Sequence, residues 1–249
     1  MNARYVCILL MFCFSYFPLA SAQEEEPAAK PTPYNRLYWG SSMDGAIFST
    51  ALVQHTGRAE KLTTLRFSYI VNFGFNLNYD FNRHIGLMTG AGIKNIGFIE
   101  KFADSTVKRR VYALGVPLGV KIGNLHKRNF VFLGGGVDAP VNYREKGFIK
   151  RGDKEKFNEW FSERTPAFMP YVFAGVSASP GVTLKLQYYP GNFMNRDYTM
   201  PDPGGNDMLI RPYSSYERSN LLMLSIGVDL HYNKHNRHGD RKDQALKKM

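Results

Sequence analysis

Between residues 64 and 81 the side chains alternate for longer than a soluble strand needs. Leu65, Phe67, Tyr69, Val71, Phe73, Phe75, Leu77 and Tyr79 fall on one face, and Arg66, Ser68, Asn72, Gly74, Asn76 and Asn78 on the other. A period of two is the mark of a β-strand with one apolar and one polar face. Soluble strands usually run about 5 or 6 residues, whereas a strand crossing a bilayer needs about 9 to 11. The apolar face also carries aromatic rings toward both ends, where they settle at the two lipid interfaces. Such a strand requires a closed barrel, because an open sheet edge in hydrocarbon leaves backbone groups without partners.

The alternation recurs. In residues 110–122, Tyr112, Leu114, Val116, Leu118, Val120 and Ile122 oppose Ala113, Gly115, Gly119 and Lys121. In 129–143, Val131, Leu133, Val137, Val141 and Tyr143 oppose Asp138 and Asn142. In 182–189, Val182, Leu184, Leu186 and Tyr188 oppose Thr183, Lys185 and Gln187, and in 220–232, Leu222, Leu224, Ile226, Val228, Leu230 and Tyr232 oppose Ser225, Asp229 and His231. Glycine-rich segments at 37–50, 85–99 and 169–179 complete the set, and their small residues leave both facings open. The prediction is an all-β fold, an eight-stranded antiparallel transmembrane β-barrel. The connections at 80–84, 123–128 and 179–181 are short, as periplasmic turns are, while 144–168 and 194–217 are long polar loops suited to the outer side.

The ends fit export. Arg4, an apolar run at 6–19 and Ala20-Ser21-Ala22 have the order of a secretory signal peptide cut after Ala22. The run is shorter than the roughly 20 residues of a spanning helix. The expected organisation is a signal peptide at 1–22, a periplasmic N-terminal linker at 23–36, the barrel at 37–232 and a basic polar tail at 233–249. Cys7 and Cys13 both fall in the signal peptide, which removes disulfide and thiol chemistry from the mature part. Leu10-Met11-Phe12 before Cys13 lacks the small residues of a lipoprotein site. The mean hydropathy of −0.32 is that of a soluble protein, as lumen-facing residues dilute a barrel's apolar signal. The net charge of +11 points to outer-membrane lipid and lipopolysaccharide phosphates as partners, and not to nucleic acid, since no basic-aromatic recognition motif accompanies it.

The sequence resembles the Bacteroidetes-type outer-membrane β-barrel family, which includes the PorT-like proteins. Val116-Pro117-Leu118-Gly119-Val120-Lys121-Ile122 is similar to that family's I-P-L-x-x-K pattern, Ala174-Gly175-Val176 fits its sixth strand, and residues 186–193 look like its strand-then-glycine ending. Ser225, Gly227, Leu230 and Tyr232 match the terminal signal read by the barrel assembly machinery, although here a tail follows it. The resemblance implies a Gram-negative outer-membrane location and a multi-pass barrel; the family hosts many functions.

A lumen of eight strands is just wide enough for side chains to fill. Arg66, Lys121, Asp138, Lys185 and Asp229 share the inward face and are read as an ion-pair network, with Asp44 a candidate sixth member and Lys121 and Lys185 expected to pair with Asp138 and Asp229. This network plugs the lumen in the preferred reading; a charged constriction in a narrow, porin-like pore is the alternative. His55, placed in the first outer loop, is the one histidine positioned for catalysis, while His231, His235 and His238 are read as part of a polar tail and not as a metal site. No catalytic, cofactor-binding or metal residues are assigned. Phe157, Trp160 and Phe161 in the loop 144–168 suit a short amphipathic helix at the membrane surface, a partner-binding face or rim packing. The functional expectation is a non-enzymatic structural or interaction component, or an accessory with a protein partner in an export complex; a small diffusion channel and a lipid-modifying enzyme are the rivals.

Overall fold

The computed structural model describes residues 37–149, 154–202 and 208–231. Eight long strands make the wall: β1 (Leu37–His55), β2 (Arg66–Asp80), β3 (Ile85–Lys101), β4 (Ser105–Asn124), β5 (Asn129–Ile149), β6 (Met169–Ala178), β7 (Val182–Tyr189) and β8 (Tyr216–His231). Each pairs antiparallel with the next, and β8 returns to pair with β1 from Gly40↔His231 to His55↔Tyr216, so the sheet closes on itself. The signal peptide, the linker, Tyr232 and the tail lie outside the described residues.

Burial is the reverse of a soluble protein's. Phe73 and Phe75 on β2 are 53% and 72% exposed, while Asn72, Asn76 and Asn78 beside them are buried. On β4, Leu114, Val116 and Leu118 face outward and Ala113 and Lys121 inward. An apolar surface of this extent is stable only against lipid, and a polar interior is affordable only where its groups find partners.

Several strands rise past the segments read from alternation and form a collar above the apolar belt. β1 continues to His55, so this residue ends a strand and does not sit in a loop. β3 and β4 run on to a tight turn at residues 102–104. β5 continues to Ile149, and a further strand, Lys154–Trp160, pairs with it from Asn142↔Trp160 to Phe148↔Lys154. The loop 144–168 therefore includes a strand paired back on β5, and of its three readings the amphipathic helix is not found among the described residues. A strand standing above the rim presents unpaired backbone groups, which a second strand satisfies and a helix does not.

Besides a shift at the rim between Gln54 and His55, two irregularities in register set which side chains enter the lumen. One lies in β1 between Asp44 and Ala46. The other lies in β5 opposite Tyr112 and Ala113, where Pro140, which has no N–H to give the ladder, precedes the skipped Val141. The extra residue reverses the facing beyond it, so Tyr143, expected toward lipid, is 1% exposed and pairs with the inward Val111.

The wall is stitched differently between β2 and β3. Their ladder runs from Asp80↔Gly86 to Phe73↔Ile93, and the next bridge is Thr64↔Ile99. In between, side chains take the backbone groups: the Asn95 N–H donates to Asn72 Oδ1 at 2.8 Å, and Ser49 Oγ donates to the Gly97 carbonyl at 2.6 Å.

Candidate functional site

The lumen is layered. Nearest the short turns, Lys121 lies 2.7 Å from Asp80 and donates to Tyr38 and Asn78. Next come Lys94 with Asp138 at 2.9 Å and Lys185 with Asp44 at 3.2 Å. The Tyr189 hydroxyl donates to Asp138 at 2.7 Å, Asn72 donates to Asp44, and Asn76 donates to Asp229 at 3.1 Å. Higher, Arg66 donates to Asn95 at 2.5 Å and to Ser49 at 3.3 Å. Asp44, Asn72, Asn76, Lys94, Lys121, Lys185 and Asp229 line a cavity of about 90 Å³, enough for several waters.

Arg66, Lys121, Asp138, Lys185 and Asp229 all lie on the lumen side, but the ion pairs differ from those expected. Lys121 takes Asp80, Lys185 takes Asp44, and Asp138 belongs to Lys94. Strand stagger is the reason: Asp138 sits opposite Gly115, whose missing side chain admits the Lys94 ammonium from the strand beyond. A Cβ on Gly115 would stand 2.1 Å from Asp138 Oδ1, and one on Gly86 would stand 2.2 Å from Asp80 Oδ1. Lys94 carries no clear sequence signal because its segment alternates weakly, and Asp80 because it stands at the start of the short turn 80–84.

Above the charges the interior is filled by apolar side chains. Ala51, Ile96, Phe98, Val111, Leu221 and Met223 point inward with less than 1% exposure. Phe193 and Met194, from the chain between β7 and β8, fold back into this layer. Phe193 packs edge-on against Phe98 with ring centroids 5.4 Å apart, and the Met194 N–H donates to Ser219 Oγ at 3.1 Å. The long loop thus supplies its own stopper, visible in sequence only as two apolar residues after Gly191-Asn192.

At the rim, Glu100 binds Arg109 at 3.0 Å, the Tyr216 hydroxyl at 2.5 Å and His55 Nε2 at 2.6 Å. Ser215 Oγ lies 3.4 Å from His55 Nδ1, and Glu145 adds a second carboxylate 3.3 Å from Arg109. Glu100, Arg109 and Ser215 fell beyond the segments read as strands. No group of metal-ligating side chains occurs among the described residues. On β8, Ser225 faces the lumen and Leu230 the lipid, and Gly227 pairs with Asp44 and Thr183.

A closed ring with an apolar exterior and a polar, ion-paired interior defines a transmembrane β-barrel. Residues 22–191 match the outer membrane protein beta-barrel domain family, and the chain belongs to that family. It is an outer-membrane protein in contact with membrane lipid. Among solved structures it is similar to Ail, the attachment invasion locus protein of Yersinia pestis (14% identity, TM-score 0.33, covering 78% of this chain and 99% of Ail). Another is Neisserial surface protein A (12%, TM-score 0.38, 79% and 97% covered). A third is the outer membrane protein AlkL, solved in DMPC bilayers (12%, TM-score 0.36, 86% and 99% covered). No curated protein matches the sequence.

Proposed function

We propose that this protein is a non-enzymatic, non-conducting barrel that serves the outer membrane as a structural or interaction component. The observation that carries the reading is the apolar septum of Phe98, Phe193, Met194 and Leu221 across the lumen, each at most 1% exposed. A dry constriction of this kind excludes ions as well as water. The charges below it then act as internal braces for the wall. Purified protein in planar bilayers should show no unitary conductance; steady channel steps would favour the diffusion-channel reading.

The rim series Ser215–His55–Glu100 has the residue types of a hydrolytic triad. Its carboxylate is shared with Arg109 and Tyr216, and the His55 ring packs on Tyr216 with centroids 4.3 Å apart, which supports a clasp joining β1, β3 and β8. Lipid turnover measured on the wild type and on Ser215→Ala should be equally absent; turnover lost on substitution would make the protein an enzyme.

The finer resemblance to PorT-like proteins supports a narrower version, in which the barrel is an accessory of an export machine. Its matching residues 116–122 and 174–176 lie on β4 and β6. Cross-linking in native membranes should recover a stoichiometric protein partner if this version holds. The same proposal takes 1–22 as a cleaved export signal, 23–36 as a linker, 233–249 as a polar tail, and Ser225, Gly227, Leu230 and Tyr232 as the signal recognised by the barrel assembly machinery.

A further inference from the structure

The outward face of β4 changes character within two residues. From the short-turn end it reads Ile122, Val120, Leu118, Val116 and Leu114, then Tyr112, Arg110 and Lys108. The neighbouring β5 and its hairpin partner bring more cations to the same level. Arg110 stands directly opposite Arg144, Lys108 opposite Lys146, and Lys146 opposite Lys156. Arg110 and Arg144 both lie over the Tyr112 ring, at 5.9 and 5.5 Å from its centroid.

Like charges placed opposite each other weaken a sheet, and this sheet does so in two successive rows. Elsewhere the barrel pairs its charges, as with Lys94 and Asp138 or Arg109 and Glu145. Among the described residues no carboxylate forms an ion pair with Lys108, Arg110, Arg144, Lys146 or Lys156. Rows two residues apart along a strand are roughly 6.6 Å apart, which suits more than one phosphate. The apolar stripe directly beneath continues into lipid, so a ligand here meets cations with its head and Leu114, Val116 and Leu118 with its chains.

We infer that Lys108, Arg110, Arg144, Lys146 and Lys156 form a binding site for the phosphates of a lipopolysaccharide molecule in the outer leaflet, its acyl chains lying along Leu114, Val116 and Leu118. The inference rests on the placement of the barrel in the outer membrane and is independent of whether the lumen conducts. An anionic headgroup turns two repulsive rows into a bridged cluster, and the site fixes one glycolipid against the β4–β5 face, beneath the protruding hairpin.

The test uses the full mature chain in detergent micelles, with lipopolysaccharide, phosphatidylglycerol and inorganic phosphate as separate probes. The readouts are direct binding and the temperature at which the compact gel band converts to the unfolded one. The variant is Lys108→Gln, Arg110→Gln, Arg144→Gln and Lys146→Gln combined; the control neutralises Arg83 and Lys127 in the short turns. Lipopolysaccharide should bind the wild type and the control alike and raise their conversion temperature. It should bind the variant more weakly by roughly fivefold per cation removed. Without lipid the variant should convert at a temperature no lower than the wild type, because the repulsion is gone, and this separates loss of the site from loss of the fold. Equal binding of lipopolysaccharide to variant and wild type would overturn the inference. So would equal stabilisation by phosphatidylglycerol or by inorganic phosphate, which would reduce the patch to a general anion attractor. Absence of any heat-dependent band shift in the wild type would instead count against the barrel itself.

Discussion

A carboxylate sealed in a barrel wall depends on its cation, and Asp138 is the clearest case. It is fully buried and holds both Lys94 and the Tyr189 hydroxyl. Removing one partner of a buried pair leaves the other charge uncompensated, at a typical cost of about 3 to 5 kcal/mol. Asp138→Ala should therefore lower the gel-shift temperature strongly. The double change Lys94→Met with Asp138→Leu should recover most of the loss, because an apolar pair of similar volume needs no compensation. Phe73→Ala, on the lipid face, should cost less than Asp138→Ala, since lipid can fill the gap. A wild-type conversion temperature for Asp138→Ala would show that the pair contributes little. The inward identity of Asp138 and Lys121 was legible from strict alternation, but their partners were not. Pairing across a lumen depends on stagger and on which neighbour lacks a side chain, and only the closed barrel shows that Gly115 and Gly86 make the openings.

At the scale of strands, the belt was readable and the collar was not. Within the lipid, polar and apolar residues must alternate, so segments such as 110–122 announce themselves. Above it both faces meet water or protein, the constraint lapses, and Glu100, Arg109 and Tyr143 lose the pattern that would have placed them. The Pro140 irregularity reverses facing on β5 without any signal in periodicity, so strict alternation places Tyr143 outward while the barrel turns it in. β8 is paired to β1 along its length up to His231, so deleting residues 233–249 should leave insertion and the heat-shifted band intact. A truncated protein found only in aggregates would mean that the tail takes part in assembly.

For the whole molecule, the eight-stranded ring predicts fractionation with the outer membrane, resistance to carbonate extraction and faster migration on gels when unheated, since each of the eight wall strands pairs with a neighbour on both sides. The stopper makes a further prediction. Phe193→Ala with Met194→Ala removes its two loop-borne residues from the septum and should turn a silent barrel into one with small, measurable conductance, while the band shift persists. Continued silence would mean that Phe98 and Leu221 close the lumen unaided. The seam between β2 and β3 bears on how such a wall comes apart. Elsewhere neighbouring strands are held by backbone ladders that must break cooperatively, but here Asn72, Ser49 and Arg66 hold the interval with side chains that can let go one at a time. The Asn95 amide proton, held across this interval by the Asn72 side chain, should accordingly trade with deuterium before the ladder-bonded amides of β4 and β5, and force applied across the ring should part it along this line.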